Sequence, residues 1–160
     1  MSEQGRYRML VELVGMLGVA GSLIFVGLQI RQNAAAVRAA TAQEVSTGFR
    51  DLNLVIASTP DVAAILATET LPDSLSRGAR EQASGFWRAI LHVWSNTQYQ
   101  YENGTLDRVL YEPTLTEVTK YARRGAFRNL WTTQRDLYNP RFVQFMDSIM
   151  AATPADSISP

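Results

Sequence analysis

An uncharged apolar segment lies near the start of the chain. From Leu13 to Ile30 eighteen residues carry no charge, and Arg31 follows directly. As a helix, a segment of this length spans about 27 Å, close to the roughly 30 Å hydrocarbon core of a bilayer. Its Leu, Ile, Val and Phe residues together favour insertion by about 3–6 kcal/mol. The pattern predicts a transmembrane helix over 13–30, preceded by a short N-terminal tail over 1–12.

Three other interpretations of this apolar segment stay open: the core helix of a soluble domain, a helix that lies in the membrane interface and a cleaved signal peptide. A helix that is apolar on every side must be covered on every side. The rest of the chain is too short to cover it and still build a core of its own. A signal peptide carries a small-x-small cleavage site after its apolar run, whereas this run ends in Leu28-Gln29-Ile30-Arg31. The membrane interpretation therefore fits the sequence best.

The small and polar residues of the apolar segment share one helix face. Gly15, Gly18, Ser22 and Gln29 follow one another at spacings of three, four and seven residues, which place side chains along one side of a helix. In lipid, small residues let helix backbones approach closely. We therefore predict that this face packs against another transmembrane helix. The alternative is chance placement, because the other two glycines of the segment lie on other faces.

The pattern after the apolar segment is helical, and no stretch alternates with the period of a β-strand for long. Apolar residues from Val37 to Ile56 recur at helical spacing, so the first helix is predicted to continue to about residue 57. Further helices are predicted over about 60–68, 79–103, 105–111, 113–123 and 126–137, and from Pro140 onward. The predicted fold class is all-α: the transmembrane helix continues as a long helix into a small bundle. This helical domain occupies 31–152, and a disordered tail follows over 153–160.

Local signals mark the ends of several predicted helices. Thr59-Pro60-Asp61 and Asn139-Pro140 each combine an N-cap residue with a proline that fits the first helical turn. A loop is predicted over 71–78, before the helix over 79–103. Asn103-Gly104 predicts a left-handed C-cap at the end of that helix, and Pro113 is interpreted as the start of a new helix. The helix over 79–103 carries the clearest apolar stripe, which predicts the core and consists of Phe86, Trp87, Ile90, Leu91, Trp94 and Tyr101.

The composition argues against catalysis and metal binding. Fifteen basic and fifteen acidic residues cancel, so the positive excess of a general nucleic-acid binder is missing. The absence of cysteine excludes disulfides, thiolate zinc sites and cysteine nucleophiles. His92 is the only histidine, and its neighbours at helical spacing are Arg88, Ala89, Ser95 and Asn96, none of them a carboxylate. The sequence predicts no enzyme, no cofactor and no metal site.

An arginine-rich stretch lies late in the chain, over residues 123–141. It holds five arginines against one acid, Asp136, and aromatic residues lie between them. Arginine beside aromatic rings suits anionic lipid headgroups, a nucleic-acid backbone or an acidic protein surface. The alternative is an ordinary solvated face over an aromatic core. The candidate residues for binding a partner or headgroups are Arg123, Arg124, Arg128, Trp131, Arg135 and Arg141.

Four short segments together resemble a known family. They are "LQIRQNAAAVRAA", "NLVIASTPDVAAIL", "YQYENGTLD" and "FRNLWTTQRDLYNPRF", and the resemblance extends over about residues 13–150. The family consists of small uncharacterised bacterial proteins with an N-terminal transmembrane helix, a QIRQN-type segment and an all-helical domain. The resemblance implies a membrane anchor and a helical domain. It implies no activity and no catalytic residue.

These observations predict a non-catalytic, single-pass membrane protein with a helical interaction domain. A binding role of this kind fits an accessory or stabilising subunit of a larger membrane complex, whether respiratory, photosynthetic or for transport. The expected partners are the lipid bilayer and other membrane protein subunits. Nucleic acid is not expected, because the bilayer or a membrane partner is the nearest polyanion to an anchored protein. The alternatives are a membrane-anchored sensor or signalling protein and a membrane-bound enzyme.

Charge around the apolar segment predicts its orientation. Arg6 and Arg8 precede the segment, whereas Arg31, Arg38 and Arg50 follow it. Positive residues close to a transmembrane helix are retained on the cytoplasmic side, so the difference favours a cytoplasmic helical domain. The abundance of arginine over lysine is typical of a GC-rich bacterial genome. The predicted location is therefore the bacterial inner membrane.

Overall fold

The computed structural model describes residues 3–67 and 76–155, which form helices joined by short loops and contain no β-strand. The all-α prediction is confirmed, with a long N-terminal helix followed by shorter ones. The predicted loop over 71–78 falls largely outside the described residues, as do residues 156–160 of the predicted tail. The helices are α1 (Glu3–Ser58), α2 (Pro60–Ala67), α3 (Arg77–Glu102), α4 (Arg108–Tyr121), α5 (Gly125–Gln134) and α6 (Pro140–Ala152), with a 3-10 turn at Arg135–Leu137.

The chain divides into two compact units, Met1–Ala39 and Ala40–Pro160. The first unit belongs to α1, which is 56 residues long. The first part of α1 is long and apolar enough to cross a membrane, and every residue from Gln4 to Ala40 is exposed. The second unit, which we call the head, contains the rest of α1 and all the other helices. Each unit is described separately below.

The core of the head forms around the aromatic stripe of α3. Five of its six predicted residues are buried, and Trp94 is 0% exposed. Tyr101 is half-buried and stacks on Tyr111 of α4, with 4.1 Å between the ring centroids. Trp131 of α5 and Phe142 of α6 complete the same core. The predicted stripe is therefore confirmed as the centre of the helical bundle.

Side-chain caps explain where α3 and α6 begin and where α3 ends. The Ser76 hydroxyl accepts a hydrogen bond from the Ala79 N–H at 3.2 Å, so α3 begins at Arg77. The Asn139 side chain accepts one from the Phe142 N–H at 2.9 Å, which confirms the predicted start of α6. Gly104 has a φ of 69°, a conformation that glycine adopts without strain. It confirms the left-handed C-cap.

The interpretation of Pro113 as a helix start is wrong. A single helix, α4, runs through Pro113, and its first turn forms on Asp107, whose carbonyl accepts from Leu110 and Tyr111 at 3.0 and 3.2 Å. Proline removes one helical donor and leaves the Val109 carbonyl unpaired within the helix. Val109 is exposed, so water can bind that carbonyl. The predicted helix over 126–137 also ends earlier, because its last turn is 3-10.

Candidate binding surfaces

Three arginines of the arginine-rich stretch bind groups of their own chain. Arg124 donates to the Leu66 carbonyl at 2.6 Å, and its guanidinium lies 4.9 Å from the centre of the Tyr121 ring. Arg128 donates to the carbonyls of Ala122 at 2.7 Å and Met150 at 2.9 Å, and also to that of Thr153. These contacts join the ends of α2, α4 and α6. They give Arg124 and Arg128 a role in the fold.

Asp147 of α6 binds two further members of the candidate set. One carboxylate oxygen accepts from the indole N–H of buried Trp131 at 2.9 Å, and the other pairs with Arg135 at 2.5 Å. Trp131 therefore lies in the core with only its N–H directed to a polar group. Of the predicted binding residues, Arg123 and Arg141 are the exposed ones. A partner or headgroup role stays a prediction for all six, and these two side chains are the most accessible.

The predicted packing face of the apolar segment is exposed. Gly15, Gly18, Ser22 and Gln29 are all exposed, and a Cβ built on either glycine would meet no atom within 4 Å. The Ser22 hydroxyl donates to the Gly18 carbonyl at 2.8 Å, so its polar group is satisfied inside the helix. A satisfied hydroxyl can enter lipid at lower cost than a free one. The face is thus open to another helix.

The head contains an apolar groove between α1 and α4 that the sequence analysis did not predict. Residues 45–57 of α1 form one wall and residues 110–120 of α4 form the other, enclosing about 1030 Å³. Val45, Phe49 and Leu54 line the α1 wall, and Leu110 and Pro113 line the α4 wall. We call this feature the α1–α4 groove. The α4 wall is one helix face that continues past Pro113. A sequence pattern in which Pro113 begins a new helix therefore does not predict the groove.

Polar side chains line both walls of the α1–α4 groove. Glu117 accepts a hydrogen bond from the Trp94 indole N–H at 3.2 Å, which connects the groove to the core. Lys120 is exposed at the rim, and Arg50 lines the α1 wall. Thr114 is 2% exposed, and its hydroxyl has no hydrogen-bond partner among the described residues. The groove therefore combines an apolar lining with polar and charged side chains.

The tyrosines near the core are held in their neutral form. Burial, reinforced by the nearby Tyr101 and Glu102, raises the pKa of Tyr111 to about 12. Burial also raises the pKa of Tyr121 and of Tyr138 above the usual value. All three phenols stay protonated at neutral pH, so none of them supplies a base or an anionic ligand there.

The described residues include no group of three or more His, Asp or Glu side chains placed to hold a metal ion. His92 is exposed, and its ring contacts Tyr138 with 5.2 Å between centroids. No hydrogen bond or ion pair within the described residues joins His92 to a carboxylate. The arrangement in the described part of the chain thus offers surfaces for binding and gives no specific indication of a reaction.

Comparison with known proteins adds no relative: no family model, curated protein or solved structure matches the chain. The resemblance to the bacterial family with a QIRQN-type segment therefore stays a prediction that rests on the four sequence segments. The features that can indicate a function are the arginine-rich stretch, the α1–α4 groove and the exposed apolar part of α1.

Proposed function

We propose that the chain is a single-pass membrane protein whose head binds a partner protein, as an accessory subunit of a larger membrane complex. The exposed apolar part of α1 carries this proposal. Its large side chains, such as Met16, Leu23 and Phe25, are each exposed by more than half. Soluble proteins rarely expose contiguous apolar patches of more than a few hundred Å², whereas a lipid environment stabilises such a helix.

The head supports a binding role through the apolar groove between α1 and α4. Exposed grooves of this kind are common sites for partner segments. A membrane-anchored sensor is the second candidate, because the same groove combines apolar walls with a few polar side chains, as ligand sites do.

Membrane integration is expected to survive washing at alkaline pH, which removes peripheral proteins. The intact chain should stay in the membrane pellet, because the segment 13–30 has no charge. In a matched control, Leu23→Arg with Val26→Arg, two charges near the bilayer centre cost about 2.5–3.5 kcal/mol each, and the variant should leave the pellet. Recovery of the parent chain in the supernatant, or as a fragment cleaved after residue 30, contradicts the proposal.

Orientation can be measured by cysteine labelling, because the chain has no cysteine of its own. We expect Gln4→Cys to react with a membrane-impermeant maleimide in intact cells, and Asn129→Cys to react only after permeabilisation. Both positions are exposed, so accessibility across the membrane decides the result. The expectation follows from the larger number of arginines after the apolar segment. The reverse labelling pattern would place the head outside the cytoplasm.

Association through the apolar segment is tested by leucine at Gly18 and Ser22. The double variant Gly18→Leu/Ser22→Leu makes the segment more apolar, so insertion should persist. The added bulk separates helix backbones that small residues bring together. We expect the variant to stay in the membrane and to lose its co-purifying partner in gentle detergent. Gly21→Leu/Gly27→Leu, on other faces, serves as the control and should keep the partner. Loss of the partner in both variants, or in neither, would show that this face does not select it.

A further inference from the structure

We propose that the α1–α4 groove binds an amphipathic helix of the partner protein, with acidic residues beside its apolar face. This inference rests on the proposed function, since it identifies the segment that the head binds. It is carried by three properties of the groove: its length, its exposed apolar residues and the unpaired Lys120 at its rim.

The dimensions of the groove fit a helix. Its lining residues span residues 45–57 of α1 and 110–120 of α4, which at 1.5 Å per residue extend about 16–20 Å, or at least three helical turns. Two neighbouring helices with a trough between them form the surface into which the side chains of a third helix pack. A partner helix of three turns can therefore lie along the whole groove.

Large apolar side chains are exposed on both walls. Leu54 of α1 is 59% exposed and Leu110 of α4 is 40% exposed. Both helices also carry apolar residues that are buried in the core, whereas these two leucines remain exposed. A partner with apolar residues at positions i, i+3, i+4 and i+7 would cover both walls at once.

The charged side chains that line the groove have a net charge of +1, from Arg50 and Lys120 against Glu117. Lys120 has no ion pair within the described residues and lies exposed at the rim. Arg50 pairs with its sequence neighbour Asp51, at 3.4 Å, and both side chains are largely exposed. The hydrogen bond that Glu117 accepts from the Trp94 indole N–H does not offset its charge, because that donor is neutral. An acidic residue beside the apolar face of the partner would complement Lys120.

Photocrosslinking in the native membrane tests the inference on the full chain. Leu54→p-benzoylphenylalanine places the probe on the α1 wall, and Leu110→p-benzoylphenylalanine repeats the test on the α4 wall. The adducts are digested and sequenced. We expect one protein segment in both adducts, with apolar residues at helical spacing and Asp or Glu beside them. Lys120→Glu should lower the adduct yield about five- to tenfold, because attraction becomes repulsion. Arg77→Glu, an exposed charge reversal outside the groove, should leave it unchanged.

Probes outside the groove separate failure of this inference from failure of the proposed function. Leu137 is 62% exposed in the 3-10 turn, and Gly18 lies in the apolar segment. Adducts with a partner protein from these positions, but none from Leu54 or Leu110, would overturn the groove inference and leave the proposed function standing. A phospholipid or a second copy of this chain in the groove adducts, or a yield insensitive to Lys120→Glu, also overturns it. No adduct with another protein from any position would overturn both.

Discussion

Trp94→Ala is expected to destabilise the head by about 3–5 kcal/mol, as for a large aromatic residue removed from a close-packed core. Trp94 is fully buried, with its ring 5.7 Å from Tyr121 and 5.8 Å from Phe127. The substitution also removes the donor to Glu117. Chemical denaturation of the full chain in detergent, followed by helical circular dichroism, measures the loss.

Two controls show whether packing around Trp94 is the cause. Tyr99→Ala, on the exposed side of the same helix, should change the free energy of unfolding by no more than about 0.5 kcal/mol. A chelator should leave the parent unchanged, because the described residues contain no metal-binding cluster. A nearly silent Trp94→Ala, or stability that falls on chelation, would mean that something other than this aromatic core holds the helices together.

Arg128→Ala is expected to destabilise the head by about 3 kcal/mol. Its guanidinium is partly buried and donates to three backbone carbonyls, those of Ala122, Met150 and Thr153. Hydrogen bonds from a charged donor each contribute about 1.5–3 kcal/mol, and their sum is reduced because the substitution affects them together. The same denaturation measurement applies.

The matched controls for Arg128 come from its own stretch of sequence. Arg123→Ala removes an exposed arginine and should be nearly silent. Arg128→Lys keeps the charge but loses the planar fork of donors, so it should recover only part of the stability. Equal stability of the Arg123 and Arg128 alanine variants would show that Arg128 does not join the helix ends.

The fold class could be predicted because it depends on periodicity and local caps. The stripe from Phe86 to Trp94 has helical spacing and large rings, and these residues are buried as expected. Asn139 and Gly104 act through neighbours within three or four residues, so their roles are visible in a short window of sequence. Such signals need no knowledge of the tertiary arrangement.

The course of α4 and the groove beside it could not be predicted in the same way. Proline usually ends or begins a helix, and only the exposure of Val109 and Pro113 lets water replace the missing donor. The α1–α4 groove depends on how two helices distant in sequence lie side by side. Apolar positions such as Leu54 and Leu110 look like core residues until that packing is known.

The arginine-rich stretch shows a further limit of sequence reasoning. Charge and aromatic content predicted a binding surface, but Arg124 and Arg128 donate to backbone carbonyls. Every residue has a carbonyl, so such acceptors leave no signature in the amino-acid sequence. Asp147, the partner of Arg135 and Trp131, lies outside the stretch, so only the packing of α6 against α5 identifies it as their partner.

The proposal of a membrane subunit is tested most directly by the composition of the particle that gentle detergent extracts from the native membrane. Native mass spectrometry of this particle, isolated through a tag on the chain, gives its subunits and their ratio. We predict a larger particle that holds the intact chain and at least one other membrane protein at a fixed ratio. Recovery of the chain alone, or only with copies of itself, would contradict the proposed function.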